Sequence, residues 1–458
     1  MLTLAFDLLF CACLIIFGVY FLSIDIGFVS LDQLISVTFI VWSFGTIYLY
    51  YRGGISFSCL FLFVSGALFL PVPVFLNLGL YELPLGNVIS RGNGIYNVIS
   101  IGSIFDSIRV FLAFVLGVLL ASFLVCNFFK KTEILVRNYP YAEFLSKFYW
   151  LFFVLICIKY CIVALDTYTS GYVNAVHLES GYGNHVVFKV VEALYPLLGL
   201  AFVYVSKVDA QWKKRAVIFL LPFMLKLATG IRGDFLFATL SIVVLYSQRF
   251  EIKISLSFIL KFVAVVVVLF IMGFVRSKGW DIDRFEYGLL IEEIGSSLAP
   301  LAYFFEYENE LTDWRYIFGY PISLFGDSIS YTLDSIANNY IYAQHLVFHL
   351  SENKFLNGST IGGSFLAEIY SFTGGGLGVL LFVFIMVIMI ESLVRLSNER
   401  FFYFLMSYIL CFNLIFAIRG SVFRFVNANL ATLLIFMFIG WIVYRSLSAR
   451  RIEERRNG

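Results

Sequence analysis

The chain has 458 residues, of which 61% are hydrophobic and 14% charged, with a formal net charge of +2 and a mean hydropathy of +0.90. Soluble globular domains carry roughly 45–50% apolar and about 25% charged residues, so this composition excludes a soluble enzyme. Seven cysteines lie mostly inside apolar runs, without a CxxC pair, which argues against both a disulfide framework and a cysteine metal site.

The apolar residues are gathered into runs near the length a hydrocarbon core requires, roughly 17–25 residues each. They predict an all-α, polytopic transmembrane helical bundle of about twelve spans. In chain order these are 3–21, 33–50, 57–76, 106–128, 148–166, 187–206, 214–229, 233–248, 257–275, 374–392, 401–417 and 426–444. The first run lacks a small-residue cleavage motif and is expected to be a retained span. The pair 214–229 and 233–248 is short and joined by a sharp turn at Thr229–Gly233. A tight hairpin and a re-entrant pair both remain open there. The 53 Phe and 28 Tyr suit lipid-facing surfaces and interfacial belts, or a groove for a polyisoprenoid or glycan.

Lys and Arg cluster in alternate connections, as at Lys130, Lys131, Arg137 and Lys147 or Lys213, Lys214 and Arg215. The positive-inside rule then places both termini in the cytoplasm of an inner-membrane-type protein. The basic tail at 445–458 is explained as a topogenic contact with anionic lipid, so no nucleic-acid partner is expected. The domain reading is spans 1–9 over 1–275, an external cap over 276–373, spans 10–12 over 374–444, and the tail. The cap mixes acidic, basic and aromatic residues and is expected to contain short helices, with 328–340 as an interfacial one. Such a domain indicates that substrate is handled on the outer side.

Ionisable groups in or at the mouths of spans default to functional hypotheses because they are costly there. Arg109, Lys226, Arg232, Arg276, Arg419 and Arg424 fall at external span ends, against the topogenic bias. The permanently charged, planar guanidinium suits phosphate or carboxylate recognition. The competing explanation is lipid-phosphate contact, or pairing with Asp234, Asp281 and Glu292. Lys159 lies well within the fifth span, where it either snorkels or faces the bundle interior. His345 and His349 share one face if their segment is helical, and His345 is a candidate proton acceptor. Zinc is not expected there, for want of an HExxH or a carboxylate at ligand spacing. Residues 358–378 form a glycine- and serine-rich cluster without a phosphate-loop lysine. They read as close packing on re-entry to the membrane, with Glu368 in their midst as a further candidate.

The segments Ala228–Asp234, Phe274–Arg276 and Gly358–Ser364, with Arg419 and Arg424 and a large loop before the last three spans, resemble the Wzy-type O-antigen and repeat-unit polysaccharide polymerases. That resemblance implies an undecaprenyl-diphosphate-linked oligosaccharide substrate at the periplasmic face. It also implies transfer of the growing chain onto the next lipid-linked unit, without cofactor or metal. Arg232, Arg276, Arg419, Arg424 and Lys226 would then hold diphosphates or stabilise leaving-group charge. Asp234, Asp281, Glu368 and His345 are candidates to orient or deprotonate the acceptor hydroxyl. Membrane lipids, a chain-length regulator and a repeat-unit flippase are the further partners to expect. An O-antigen ligase would share the donor and differ in acceptor. A flippase would instead require polar groups spread through the midplane, often with repeated halves.

Overall fold

A computed structural model describes residues 29–79, 99–128, 140–170, 186–227, 233–250, 297–318, 332–337, 341–356, 362–418 and 420. It also describes most of 434–446 and the isolated positions 16 and 20. The predicted spans 3–21 and 257–275 fall almost wholly outside these residues, as does much of 426–444.

The described chain is almost entirely helical. Its first half contributes α1 (Leu31–Gly53), α2 (Phe57–Phe69), α3 (Pro71–Asn77), α4 (Ile101–Phe128), α5 (Pro140–Ser146), α6 (Tyr149–Ser170), α7 (Val186–Tyr204), α8 (Asp209–Leu227) and α9 (Gly233–Arg249). The second half contributes α10 (Ala299–Glu306), α11 (Glu308–Leu311), a 3₁₀ turn at Trp314–Phe318, α12 (Leu333–Ala337), α13 (Tyr342–Leu350), α14 (Glu352–Leu356), α15 (Phe365–Thr373), α16 (Gly376–Leu396) and α17 (Phe401–Ala417). Among the described residues, three helices are long and apolar enough to cross a membrane, and up to five if each of two bent pairs is one span. The pair α2 and α3 bends by 55° at Pro71, which lacks the N–H that would continue the ladder. The expected interfacial stretch 328–340 contains the five-residue α12.

The chain divides into two compact units. Unit 1 comprises 1–131, 282–392 and 413–427, and unit 2 comprises 132–281, 393–412 and 428–458.

In unit 1, α4 is the central helix, with Phe111, Phe114 and Val115 fully buried. The aromatic rings form its core: Phe69 stacks on Phe111 at 5.1 Å, and Phe114 meets Phe61 and Phe365 edge-on. Gly117 lets α16 approach closely, since a Cβ there would stand 2.7 Å from the Leu380 carbonyl oxygen. Glu391 on α16 is 4% exposed and accepts hydrogen bonds from the Ser58 backbone N–H at 2.7 Å and the Ser58 hydroxyl at 2.5 Å. A carboxylate from a distant helix thus satisfies an orphan N–H in the first turn of α2, where the helix dipole favours negative charge. Replacing Glu391 by Ala strands both Ser58 donors and is expected to destabilise the fold by about 1–3 kcal/mol. Glu391→Gln, which keeps an acceptor oxygen, should lose less; thermal unfolding in detergent compares the two, and equal losses would refute the remote-cap assignment.

Unit 2 is built on α5 to α9. Tyr149 stacks on Phe202 at 4.3 Å and Tyr195 on Phe219 at 5.6 Å. The Tyr195 hydroxyl donates to the Phe219 carbonyl at 2.7 Å. The phenol ends thereby find partners in an apolar core, as buried tyrosine requires. A large part of the aromatic content therefore packs helix against helix in both units.

Candidate functional site

Of the nine predicted site residues, Lys226, Asp234, His345 and Glu368 are described. Arg232, Arg276, Asp281, Arg419 and Arg424 lie outside the described residues.

His345 and Glu368 belong to unit 1 and share a neighbourhood. Ser364 caps α15 by accepting the Ala367 N–H, which places Glu368 in the first turn, fully buried. The 3₁₀ turn at 314–318 packs against α15. Its Tyr316 ring meets the His345 ring edge-on at 5.4 Å and the Tyr342 ring at 5.6 Å. Burial raises both phenols well above their ordinary range, and the nearby Glu368 charge adds to it. They therefore stay protonated, and Tyr342 donates to the Pro300 carbonyl at 2.6 Å. Asp313 stands at the edge of this group. Burial pushes its carboxyl up, but hydrogen bonds from the Arg315 side chain and backbone outweigh that and hold it below the usual value, with His345 adding to the lowering.

His345 and His349 do lie on one helix, α13, but each has its own aromatic partner. His349 packs on Tyr307 at 4.6 Å, and His345 packs on Tyr316.

The glycine-rich segment has a specific neighbour. A Cβ on Gly363 would meet the backbone of Gly420 at 3.1 Å from its carbonyl carbon and 3.2 Å from its oxygen. Gly362 adopts φ 91°, a left-handed conformation that glycine accepts without strain. Gly363 and Gly420 are thus backbone to backbone in unit 1. Ile418 is fully buried, and the Gly420 N–H bonds the Ala417 carbonyl at 2.9 Å. Both residues flanking Arg419 are therefore anchored. Arg109, near the start of α4, is 3.7 Å from Asp106 one turn earlier. The two serines at the head of α4, Ser100 and Ser103, bond the Glu306 carboxylate at 2.9 and 2.8 Å.

Unit 2 brings together Lys226 and Asp234, whose charged groups are 2.6 Å apart. It adds two residues beside them. Lys159 is 8% exposed and pairs with Glu192, so its side chain is turned into the helix bundle. Glu192 escaped sequence reasoning, although a carboxylate inside an apolar run was signal enough. Among the described residues, no group of three or more His, Cys, Asp or Glu side chains could hold a metal ion.

No curated protein and no solved structure matches the chain. The family model for the O-antigen polysaccharide polymerase Wzy matches residues 6–451, nearly the whole of this helical chain with its membrane-length apolar helices; the chain belongs to that family.

Proposed function

We propose that this chain extends polysaccharide at the periplasmic face of the inner membrane by joining undecaprenyl-diphosphate-linked repeat units. The acceptor hydroxyl of a new lipid-linked unit attacks the anomeric carbon of the growing chain. The bond from that carbon to the lipid diphosphate breaks, its electron pair leaves with the diphosphate, and the hydroxyl proton passes to a protein base. Arg232, Arg276, Arg419 and Arg424 would supply the fixed positive charge that a departing diphosphate needs. His345 and Glu368 are the preferred candidates for orienting the acceptor, because both neighbour Tyr316. Asp281 remains a further candidate, whereas Asp234 is engaged by Lys226.

The observation that carries this reading is the backbone contact of Gly363 with Gly420, within a chain of the Wzy family. It brings Gly420, the residue after Arg419 in the sequence, against the segment that leads into Glu368. Both termini in the cytoplasm, the cap over 276–373 on the outside, and a flippase and chain-length regulator as partners complete the proposal.

The test is the lipopolysaccharide banding pattern of a strain lacking the protein. Molecules carrying a single repeat unit, with long chains restored by a plasmid copy, are expected. Long chains in the deletion strain would refute the assignment. Absence of any attached unit would instead indicate a ligase or flippase role.

A further inference from the structure

The first three turns of α4 carry a polar stripe of Ser103, Asp106 and Arg109, at three-residue steps that keep them on one side of the helix. Helices α10 and α15 pack against α4 and against each other, and α11 follows α10 directly. All of these belong to unit 1. The Glu306 carboxylate at the end of α10 is committed to Ser100 and Ser103. Burial pushes it up, but the hydrogen bonds from these serines outweigh that and hold it below its ordinary value. Asp106 is less firmly held. It stands 3.7 Å from Arg109, and the two side chains are 31% and 27% exposed, so both remain within reach of a ligand.

Two further groups stand beside this stripe. Exposed Glu308 opens α11; partial burial raises its carboxyl, and the Asp106 charge raises it further. Half-buried Tyr370 on α15 neighbours Glu308, Arg109 and Asp106 together. Burial raises its phenol, and the two carboxylates add to this against the arginine, so it stays protonated. Its ring meets Phe305 edge-on at 4.9 Å. Tyr370 follows Glu368 by two residues on α15, which turns it toward nearly the opposite side of that helix. The Phe304 ring stands between, 5.8 Å from Tyr370 and 6.0 Å from Tyr342. The stripe therefore adjoins the His345 and Glu368 neighbourhood without being part of it.

The donor set narrows the ligand. Three carboxylates beside one guanidinium make this place net negative, which disfavours a diphosphate. Its carboxylates do not form one of the side-chain groups that could hold a metal ion, of which there are none among the described residues. What fits is a molecule with many hydroxyls and apolar ring faces. Carboxylates accept hydroxyl hydrogens and a guanidinium donates to oxygens, while half-buried aromatic rings offer an apolar wall with a few polar groups to fix orientation. We propose that Asp106, Arg109, Glu308 and Tyr370 form a glycan subsite that grips an uncharged sugar ring of the lipid-linked repeat unit, beside the centre where the acceptor is oriented. This deepens the polymerase reading and rests on it. It gives the carbohydrate and the diphosphate separate holds of opposite sign.

The experiment measures binding of the free repeat-unit oligosaccharide to the purified full chain in detergent, by saturation-transfer NMR. The probe is released from its lipid diphosphate by mild acid, using material from a strain lacking this protein, so that it carries no phosphate. Binding is expected in the unaltered protein. Asp106→Asn with Glu308→Gln should weaken it by about ten- to hundredfold, the scale of hydrogen bonds to charged groups. Glu308→Gln alone, at an exposed position that folding does not depend on, should weaken it by several-fold and keeps the test readable if the double variant is not stable. Tyr370→Ala should weaken binding where Tyr370→Phe, which keeps the ring face, largely retains it. No binding to the unaltered protein, or equal affinity in the carboxamide variants, overturns the proposal and leaves Asp106 and Arg109 as a structural ion pair. Displacement of the glycan by inorganic diphosphate also overturns it, since the place would then be an anion site. The lipopolysaccharide ladder of the deletion strain tests the polymerase reading separately. Single repeat units there without glycan binding here would remove only the subsite, whereas long chains there would remove the polymerase reading and with it the repeat unit as ligand.

Discussion

Replacing Arg419 by alanine should leave the protein inserted at its normal level and stop growth after one repeat unit. The residues on either side are already anchored: Ile418 is fully buried and the Gly420 N–H is bonded to Ala417. What is lost is a permanent positive charge with a planar fork of donors, suited to two oxygens of a diphosphate at once. Interactions of this kind act on charge that develops as the leaving group departs, and removing one such donor from an enzyme typically costs about 10²–10³ in turnover. Arg419→Lys should recover only part of this, because an ammonium group is a point charge without the fork. Arg232→Ala is expected to give the same banding pattern. The measurement is the lipopolysaccharide ladder in a deletion strain carrying each variant, with immunoblotting of membranes for insertion. Normal long chains in both alanine variants would sink the arginine assignment.

Hydropathy carried the reading of the fold a long way, because the cost of an unpaired backbone group in lipid forces apolar runs into helices. Helices over Leu31–Gly53, Ile101–Phe128, Gly376–Leu396 and Phe401–Ala417 coincide with predicted spans. The short pair at 214–248 proves to be two helices of 19 and 17 residues, α8 and α9, that pack on each other. The charged start of α8, Asp209–Arg215, hides its true length from a hydropathy window. The site was less accessible to such reasoning. Arginines expected at external span ends could be singled out by their conflict with the positive-inside bias. The contact of Gly363 with Gly420 could not, since nothing in two glycine-bearing segments far apart in sequence says that they touch. Glu192 illustrates a different difficulty. A lone carboxylate in a span is visible as an anomaly, but its partners come from two other helices, α6 and α8. Lys159 had two sequence readings, and only the packing of α6 on α7 decides between them. Likewise Lys226 and Asp234 read singly as an anion ligand and a base, whereas side by side they are first each other's partners.

Gly363 offers the sharpest check on whether the glycine-rich segment is part of the site or only well packed. A Cβ at this position meets three backbone atoms of Gly420 at 3.1–3.3 Å. Backbone cannot rotate out of the way as a side chain can, so the Arg419 turn must shift by a few tenths of an ångström for alanine and more for valine. Displacements of about 1 Å at a positioning group can cost about 10²-fold in rate. Gly363→Val is accordingly expected to abolish long chains, with Gly363→Ala leaving shortened ones. Overpacking also costs stability, typically about 1–3 kcal/mol, and this must be separated from the effect on the site. Gly45 supplies the control. It lies in the same unit, and the atoms nearest a Cβ there belong to the Leu119 side chain, at 2.8 Å from Cδ2, whose end can turn aside. Gly45→Ala should lower the unfolding temperature in detergent as much as Gly363→Ala or more, yet retain the normal ladder. If chain length instead follows unfolding temperature across the three variants, the Gly363 contact is packing alone. Activity lost at Gly363 out of proportion to stability would tie the segment Gly358–Ser364 to the arginine turn as one functional element.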